Sequence, residues 1–221
     1  LYFITTKSDG KQLFKCNRAQ RHFVVTYLLC ENPYWRLIIL KSRQLGFTTL
    51  INLWLFDDIL WNLNYEALVV AHTLEDAKQI FNKKVSYAKD NLYRDVAAQC
   101  NFNKSSAKRV EAVFPDNSKS GISVANSGRS GTSQDLHVSE FAKLWKAFPT
   151  RAEEIITGTI QAVPTNGNVF IESTAEGMAG LYYEMFMGAW KRRDKITPNM
   201  SVAEFFPVFY NWQWDDSSVN S

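Results

Sequence analysis

Trp35-Arg36-Leu37-Ile38-Ile39-Leu40-Lys41-Ser42-Arg43-Gln44-Leu45-Gly46-Phe47-Thr48-Thr49 is the stretch on which the reading of this chain turns. Its first part is a short, continuous apolar run, the pattern of a strand buried on both faces. A polar loop containing Gly46 follows directly. Residues 49–63 then have helical length, with apolar side chains on several faces. Strand, glycine loop and helix in this order are the context that a Walker A phosphate loop requires.

The physics lies at the start of the helix, where unpaired backbone N–H groups and the positive dipole end favour an anion. Gly46 lets the backbone come close to phosphates, and Thr48 offers a hydroxyl to Mg²⁺. The letters are not the standard ones. Phe47 stands where lysine normally sits, and Lys41 stands at the first glycine position. Lys41 at the loop entry and Arg43 two residues on supply the positive charge that β- and γ-phosphates need. The plainer reading is a strand-to-helix turn capped by Thr48.

Working outward, residues 17–30 read as a helix that Asn32-Pro33 ends. Downstream, strand then helix recurs, with a buried strand at 67–71 and a long amphipathic helix at 74–91. That repetition argues for a parallel sheet with helices on both sides. Residues 109–114 and 121–125 read as short strands around the turn Pro115-Asp116-Asn117. Further apolar runs lie at 136–138, 168–171 and 205–210, with helical stretches at 151–156 and 180–193. The expected fold is one α/β domain with a mostly parallel central sheet flanked by helices. Its parts are a helical lead-in at 1–34, a core at 35–210 and a polar tail at 211–221.

Composition sets the limits. The chain has 221 residues, 46% hydrophobic and 14% aromatic, enough for a sizeable core. A net charge of +3 is too small to name a partner. The basic runs at 104–109 and 191–195 read first as solvated helix faces or loops, with nucleic-acid contact as the alternative. Cys16, Cys30 and Cys100 have unrelated spacing, so neither a zinc site nor a disulfide framework is expected, and a reducing compartment fits. His22, His72 and His137 are equally scattered. The most apolar helical stretch is broken by Asp57-Asp58, so no membrane span is expected. The chain opens on Leu1 and reads as a fragment of something longer.

Three further segments carry chemistry. Asp135-Leu136-His137-Val138-Ser139-Glu140 is an apolar strand ending in a carboxylate, where Glu140 can act as general base on a water. Ser139 takes the place of the aspartate that usually helps hold Mg²⁺; its hydroxyl can hold a metal-bound water but brings no charge. Val169-Phe170-Ile171 ends in Glu172-Ser173-Thr174-Ala175-Glu176-Gly177, with small hydroxyl residues suited to sensing hydrolysis. Glycines around Arg129, in Ser127-Gly128-Arg129-Ser130-Gly131, make a loop able to bring a guanidinium to a transition state.

The order of these motifs resembles the N-terminal ATPase domain of the large terminase subunit of tailed bacteriophages and prophages. The resemblance runs from Gln20 through Ser42-Arg43-Gln44-Leu45-Gly46-Phe47-Thr48-Thr49 and Val70-Ala71-His72 to Glu172-Ser173-Thr174-Ala175-Glu176-Gly177 and Tyr182-Tyr183. It implies a P-loop NTPase fold of the ASCE/RecA-like kind and an ATP-hydrolysing motor that drives double-stranded DNA into a procapsid. It implies that Gln20 contacts adenine and that residues 42–49 (Ser42, Gln44, Leu45, Gly46, Phe47, Thr48 and Thr49 among them) bind ATP. Thr48 and Ser139 would hold Mg²⁺, with Glu140, Lys41, Arg43 and Arg129 catalytic. Ser173, Thr174 and Ala175 would couple hydrolysis to DNA movement. The implied partners are DNA, a portal protein, a small terminase subunit and further copies in a ring, in the cytoplasm of an infected bacterium. After Phe209 there is no room for the nuclease half of a terminase, so no nuclease activity is expected. A helicase-like ATPase would need a second RecA-like domain. A nucleotide-binding assembly module without turnover would fit Phe47 and Ser139.

Overall fold

The structure, a computed structural model, describes residues 2–6, 10–29, 35–103, 106–125, 133–195 and 204–215. A hairpin of β1 (Phe3–Thr6) and β2 (Gly10–Leu13) leads into α1 (Arg18–Phe23), which a π-helical turn prolongs to Leu28. The lead-in is therefore not wholly helical. Its strands are four residues each and lack the apolar alternation that would reveal them in sequence.

β3 (Arg36–Lys41), α2 (Phe47–Trp61) and β4 (Glu66–Val70) follow as the sequence predicts. α3 (Leu74–Phe81) then runs on through a π-helical turn to Asp90. The β-rich middle gives β5 (Asn101–Phe102), β6 (Arg109–Val113) and β7 (Lys119–Ala125). β8 (Asp135–Ser139) leads into α4 (Phe141–Ala147) and α5 (Pro149–Glu154), the latter continuing to Ala162. β9 (Val169–Ser173), α6 (Leu181–Arg192) and β10 (Phe206–Tyr210) complete the core.

Eight strands form one sheet in the order β10-β3-β9-β8-β4-β7-β6-β5. From β10 to β7 all neighbours are parallel; β6 and β5 add an antiparallel edge. The fold is thus an α/β P-loop NTPase fold, and β9 inserts between the loop strand β3 and the acid strand β8. Alternation along the strands sorts two cores. Leu37, Ile39, Ala67, Val69 and Phe170 face α1, α2 and α3, whereas Ile38, Leu68, Val70, Leu136, Val138 and Ile171 face α4, α5 and α6. α2 is buried nearly all round because the sheet lies on one side of it and residues 74–90 on the other. Its apolar residues on several faces follow from that position.

Polar groups pin the amino ends of the strands. The Asn168 backbone N–H donates to Asp135 Oδ1 at 2.7 Å, and its side-chain oxygen accepts from the Trp35 N–H at 2.9 Å. Asp135 is fully buried and hydrogen-bonds Asp58 of α2. Burial, then the charges of Asp135 and Asp57, push the Asp58 carboxyl up to about 8. Burial pushes the Asp135 carboxyl up as well, so the pair shares a proton at neutral pH.

A carboxyl raised in the folded state leaves stability whole below the unfolded value near 4, where both states are protonated. Stability then falls as pH climbs toward 8, because only the native state keeps the proton. Asp58→Asn should remove this fall, whose slope is at most about 1.4 kcal/mol per pH unit for one proton. Urea midpoints of both proteins between pH 4 and 8 test this; parallel curves would show that the pair holds no such proton.

Candidate active site

The parallel strands deliver the candidate residues to one end of the sheet, the carboxyl end where open α/β sheets take ligands. β3 ends in Lys41, β8 in Ser139 with Glu140 following, and β9 in Glu172 and Ser173 with Thr174 following. Lys41 is buried, and its Nζ lies 3.4 Å from Glu140 Oε1 and 3.4 Å from Glu172 Oε2. Burial alone would pull its ammonium down. The carboxylates of Glu172 and Glu140 outweigh that and hold it above its ordinary value, so it stays charged.

The loop folds back through left-handed backbone at Gln44 (φ 66°) and Gly46 (φ 72°). Gly46 then opens α2 with no side-chain cap, and the first helical bond is Leu50 N–H to Gly46 O at 3.0 Å. The N–H groups of Phe47, Thr48 and Thr49 lie in the first turn and have no intrahelical acceptor, the condition under which a helix start favours an anion. Ser42 Oγ is buried with no hydrogen-bond partner among the described residues. Leu45 and Thr49 are buried, whereas Arg43 and Gln44 are exposed.

Gln20 is also buried, and its Nε2 donates to Gly46 O at 2.9 Å. With Asn17 it forms a reciprocal capping box on α1, and Asn17 Nδ2 donates to Leu45 O at 3.1 Å. These residues hold the loop from behind. A Cβ at position 46 would stand 2.5 Å from Gln20 Nε2 and would push that side chain off its bond to the loop, while the positive φ itself favours glycine.

Phe47 explains the missing lysine. Its ring is fully buried, 4.8 Å from that of Tyr210 and 5.2 Å from that of Phe23. Only its backbone N–H can serve a phosphate.

Glu172 is the residue that sequence reasoning passed over. It is completely buried, and its Oε1 accepts from Thr48 Oγ1, from Ser139 Oγ at 3.0 Å and from His137 Nε2 at 3.2 Å. Burial would raise its carboxyl. Lys41, His137 and Thr48 together overcome this and hold it down at about 2. The signal was present: a carboxylate closing an otherwise apolar buried strand demands compensation. Asn52 Nδ2 donates to Thr48 O at 2.7 Å and lies 3.3 Å from His137 Nδ1. This leaves Nδ1 as acceptor and Nε2 as the proton-bearing nitrogen that faces Glu172.

Glu140 adopts left-handed backbone (φ 54°, ψ 47°), a sparsely populated state for a residue with a side chain. Thr174 Oγ1 donates to its Oε2 at 3.3 Å, and Lys143 Nζ lies 3.5 Å from the same oxygen. Ser173 Oγ accepts from the Ala142 N–H at 3.2 Å, joining β9 to α4. Ala175 is exposed just beyond. A cleft of about 280 Å³ opens beside Ser139 and Glu140, rimmed by His72, Lys83, Lys84 and Lys143. A larger apolar cavity of about 420 Å³ lies past Ala175 and reaches neither Lys41 nor Glu140. Arg129 lies outside the described residues.

Comparison with solved structures finds close likeness in architecture. The large terminase ATPase domain of Thermus phage P74-26 superimposes with a TM-score of 0.65, at 16% identity over 94% of this chain and 85% of that one. The fold is that of a large-terminase ATPase domain. The large terminase of bacteriophage HK97 matches at TM-score 0.60 and 17% identity, over 94% of this chain and 41% of its own. The large terminase of a thermophilic bacteriophage, in complex with ADP, matches at TM-score 0.58 and 12% identity, over 93% of this chain and 47% of its own. The chain thus spans less than half the length of those two terminases. No protein-family model matches the sequence, and no curated protein does.

Phe47→Ala should cost about 3–5 kcal/mol of stability as a core truncation. Phe47→Lys, which restores the standard letter, should cost at least as much and gain no nucleotide affinity. Denaturant unfolding and nucleotide titration of the two variants decide this. A stable, tighter-binding Phe47→Lys would mean that position 47 faces the phosphates after all.

Proposed function

We propose that this domain hydrolyses ATP with Mg²⁺ and is the motor of a viral DNA-packaging terminase. The observation that carries the reading is the buried Lys41, at the entrance of a glycine loop and within 3.4 Å of both Glu140 and Glu172. A phosphate loop, a general base and a neutralising cation are the parts phosphoryl transfer needs, and they converge here from three adjacent parallel strands. The likeness to terminase ATPase domains supports the packaging role.

In this reading the uncapped start of α2 cradles the phosphates, and Lys41 turns from its carboxylates to the β- and γ-phosphate oxygens. Glu140, relieved of that ion pair, orients and deprotonates the attacking water. The oxygen donors near the loop suit a hard cation such as Mg²⁺, with Thr48 and Ser139 offering hydroxyls. When bound, the ion would neutralise charge developing on the phosphates.

Thr174 touches Glu140, and Ser173 bonds the start of α4. A change at the base is therefore felt directly at the end of β9, the segment proposed to couple hydrolysis to DNA movement. Gln20, tied to Gly46, would place the loop and reach adenine only by exchanging that bond. Arg43 and Arg129 are proposed as further cations of the active ring. Double-stranded DNA, a portal protein, a small terminase subunit and sister copies are the proposed partners, in the host cytoplasm. No helix among the described residues is long and apolar enough to cross a membrane.

Glu140→Gln should lower turnover by about 10²–10⁴-fold, the range for a lost general base, while nucleotide affinity persists. Unchanged turnover would remove Glu140 from its role. Lys41→Ala should cost more turnover than Arg43→Ala in protein whose fold is verified by circular dichroism. Equal or reversed losses would put the loop's cation elsewhere. A calorimetric titration of wild type with Mg²⁺-ATP addresses the remaining reading, an assembly module favoured by Ser139: absence of binding at millimolar nucleotide would support it.

A further inference from the structure

We propose that Glu172 is the metal-ligating carboxylate of this site, supplied from β9 in place of the aspartate that β8 lacks at Ser139. This rests on the nucleotide reading above and names the residue that completes it.

Register places the substitution. Ser139 of β8 and Glu172 of β9 are directly paired across the parallel ladder, and Glu172 pairs on its other side with Ile39 of β3. Glu172 is thus one strand nearer the phosphate loop than Ser139. Neighbouring strands lie about 4.8 Å apart, a gap that a glutamate side chain spans. Its Oε1 accepts from Thr48 Oγ1 and from Ser139 Oγ at 3.0 Å, the two hydroxyls proposed above to meet the ion. The groups gathered here, one carboxylate and two hydroxyls, are all oxygen donors, the ligand type a hard divalent cation takes.

Charge supports the same assignment. Glu172 is entirely buried, and Lys41 is the ammonium that faces it, shared with Glu140. When phosphates draw Lys41 away, a buried carboxylate needs a new counter-charge, and a divalent cation arriving with the nucleotide provides it. His137 Nε2, at 3.2 Å from Oε1, orients the carboxylate as a supporting donor does behind a metal ligand.

The test uses Mn²⁺ as the probe, with its free form read by electron paramagnetic resonance, and ADP as the nucleotide. ADP affinity is measured in parallel in EDTA. Four proteins are compared: wild type, Glu172→Gln, Ser139→Asp and the double variant Ser139→Asp/Glu172→Gln. Glu172→Gln should lose at least tenfold in Mn²⁺ binding with ADP while keeping its affinity for ADP in EDTA. The double variant should regain Mn²⁺ binding, because the charge has moved back to β8. Should Glu172→Gln fail to fold, Glu172→Asp keeps the charge but shortens the reach, and its Mn²⁺ affinity should still fall. Wild-type Mn²⁺ affinity in Glu172→Gln overturns the assignment. So does an equal loss with and without metal, or no rescue in the double variant, either of which marks Glu172 as a positioning residue for Thr48 and Lys41. A wild-type chain that binds no ADP in either condition overturns the nucleotide reading itself and this inference with it.

Discussion

One ammonium between two carboxylates organises the carboxyl end of this sheet. Lys41 closes β3, Glu140 follows β8, Glu172 lies near the end of β9, and the 3.4 Å contacts tie all three strand ends together. In a low-dielectric interior an unpaired charge is costly, so loss of Lys41 would strand the buried Glu172 carboxylate, whereas loss of either carboxylate leaves the ammonium paired with the other. The consequence is structural before it is chemical. Thr48, Ser139 and His137 also turn toward Glu172, which fixes the start of α2 against β8 and β9.

The back of the loop is held by different means. Gln20 and Asn17 bond the Gly46 and Leu45 carbonyls, and their capping box anchors them to α1. The loop is gripped from below by hydrogen bonds to its own backbone, and the amide groups facing the site are left open. Arg36 performs a similar service at the amino end of β3, donating to the Ile160 and Val163 carbonyls at 3.1 and 2.8 Å. The loop strand is thereby fixed at both ends, and Lys41 is presented from a rigid element.

Much of this was legible in the letters, and the reasons are local. The runs at 35–40, 67–71 and 136–138 carry the unbroken apolar signature of doubly covered strands, so the parallel sheet could be read directly. Lys41 and Glu140 were legible because each stands where a buried strand turns polar. The β1–β2 hairpin was not, since four-residue strands without alternation give no period to read. Glu172 was hidden for a different reason. Its neighbours Ser173 and Thr174 carried the motif, and its meaning depends on pairing with Ser139, a residue 33 positions away. Strand order alone creates that neighbourhood. The place of Gln20 was likewise beyond the letters: a glutamine at the third position after Asn17 reads equally as a cap or as a ligand.

In the proposed reading, a displaced lysine and a displaced carboxylate follow from one constraint. Position 47 is the first residue of α2, and here its side chain faces the core among Phe23 and Tyr210 instead of the phosphates. An apolar residue is demanded there, so the loop's cation must come from elsewhere. Lys41, paired across to Tyr210 of β10, is the last strand residue before the loop turns, and its chain reaches the space above β9. A cation entering over β9 is best met by a carboxylate on β9, and a carboxylate on β8 as well would leave too many negative charges around one ammonium. Ser139, neutral and small, is the residue this arrangement requires. In the proposed reading, Phe47, Lys41, Ser139 and Glu172 are four parts of one charge relocation, shifted by a strand and by the length of a loop.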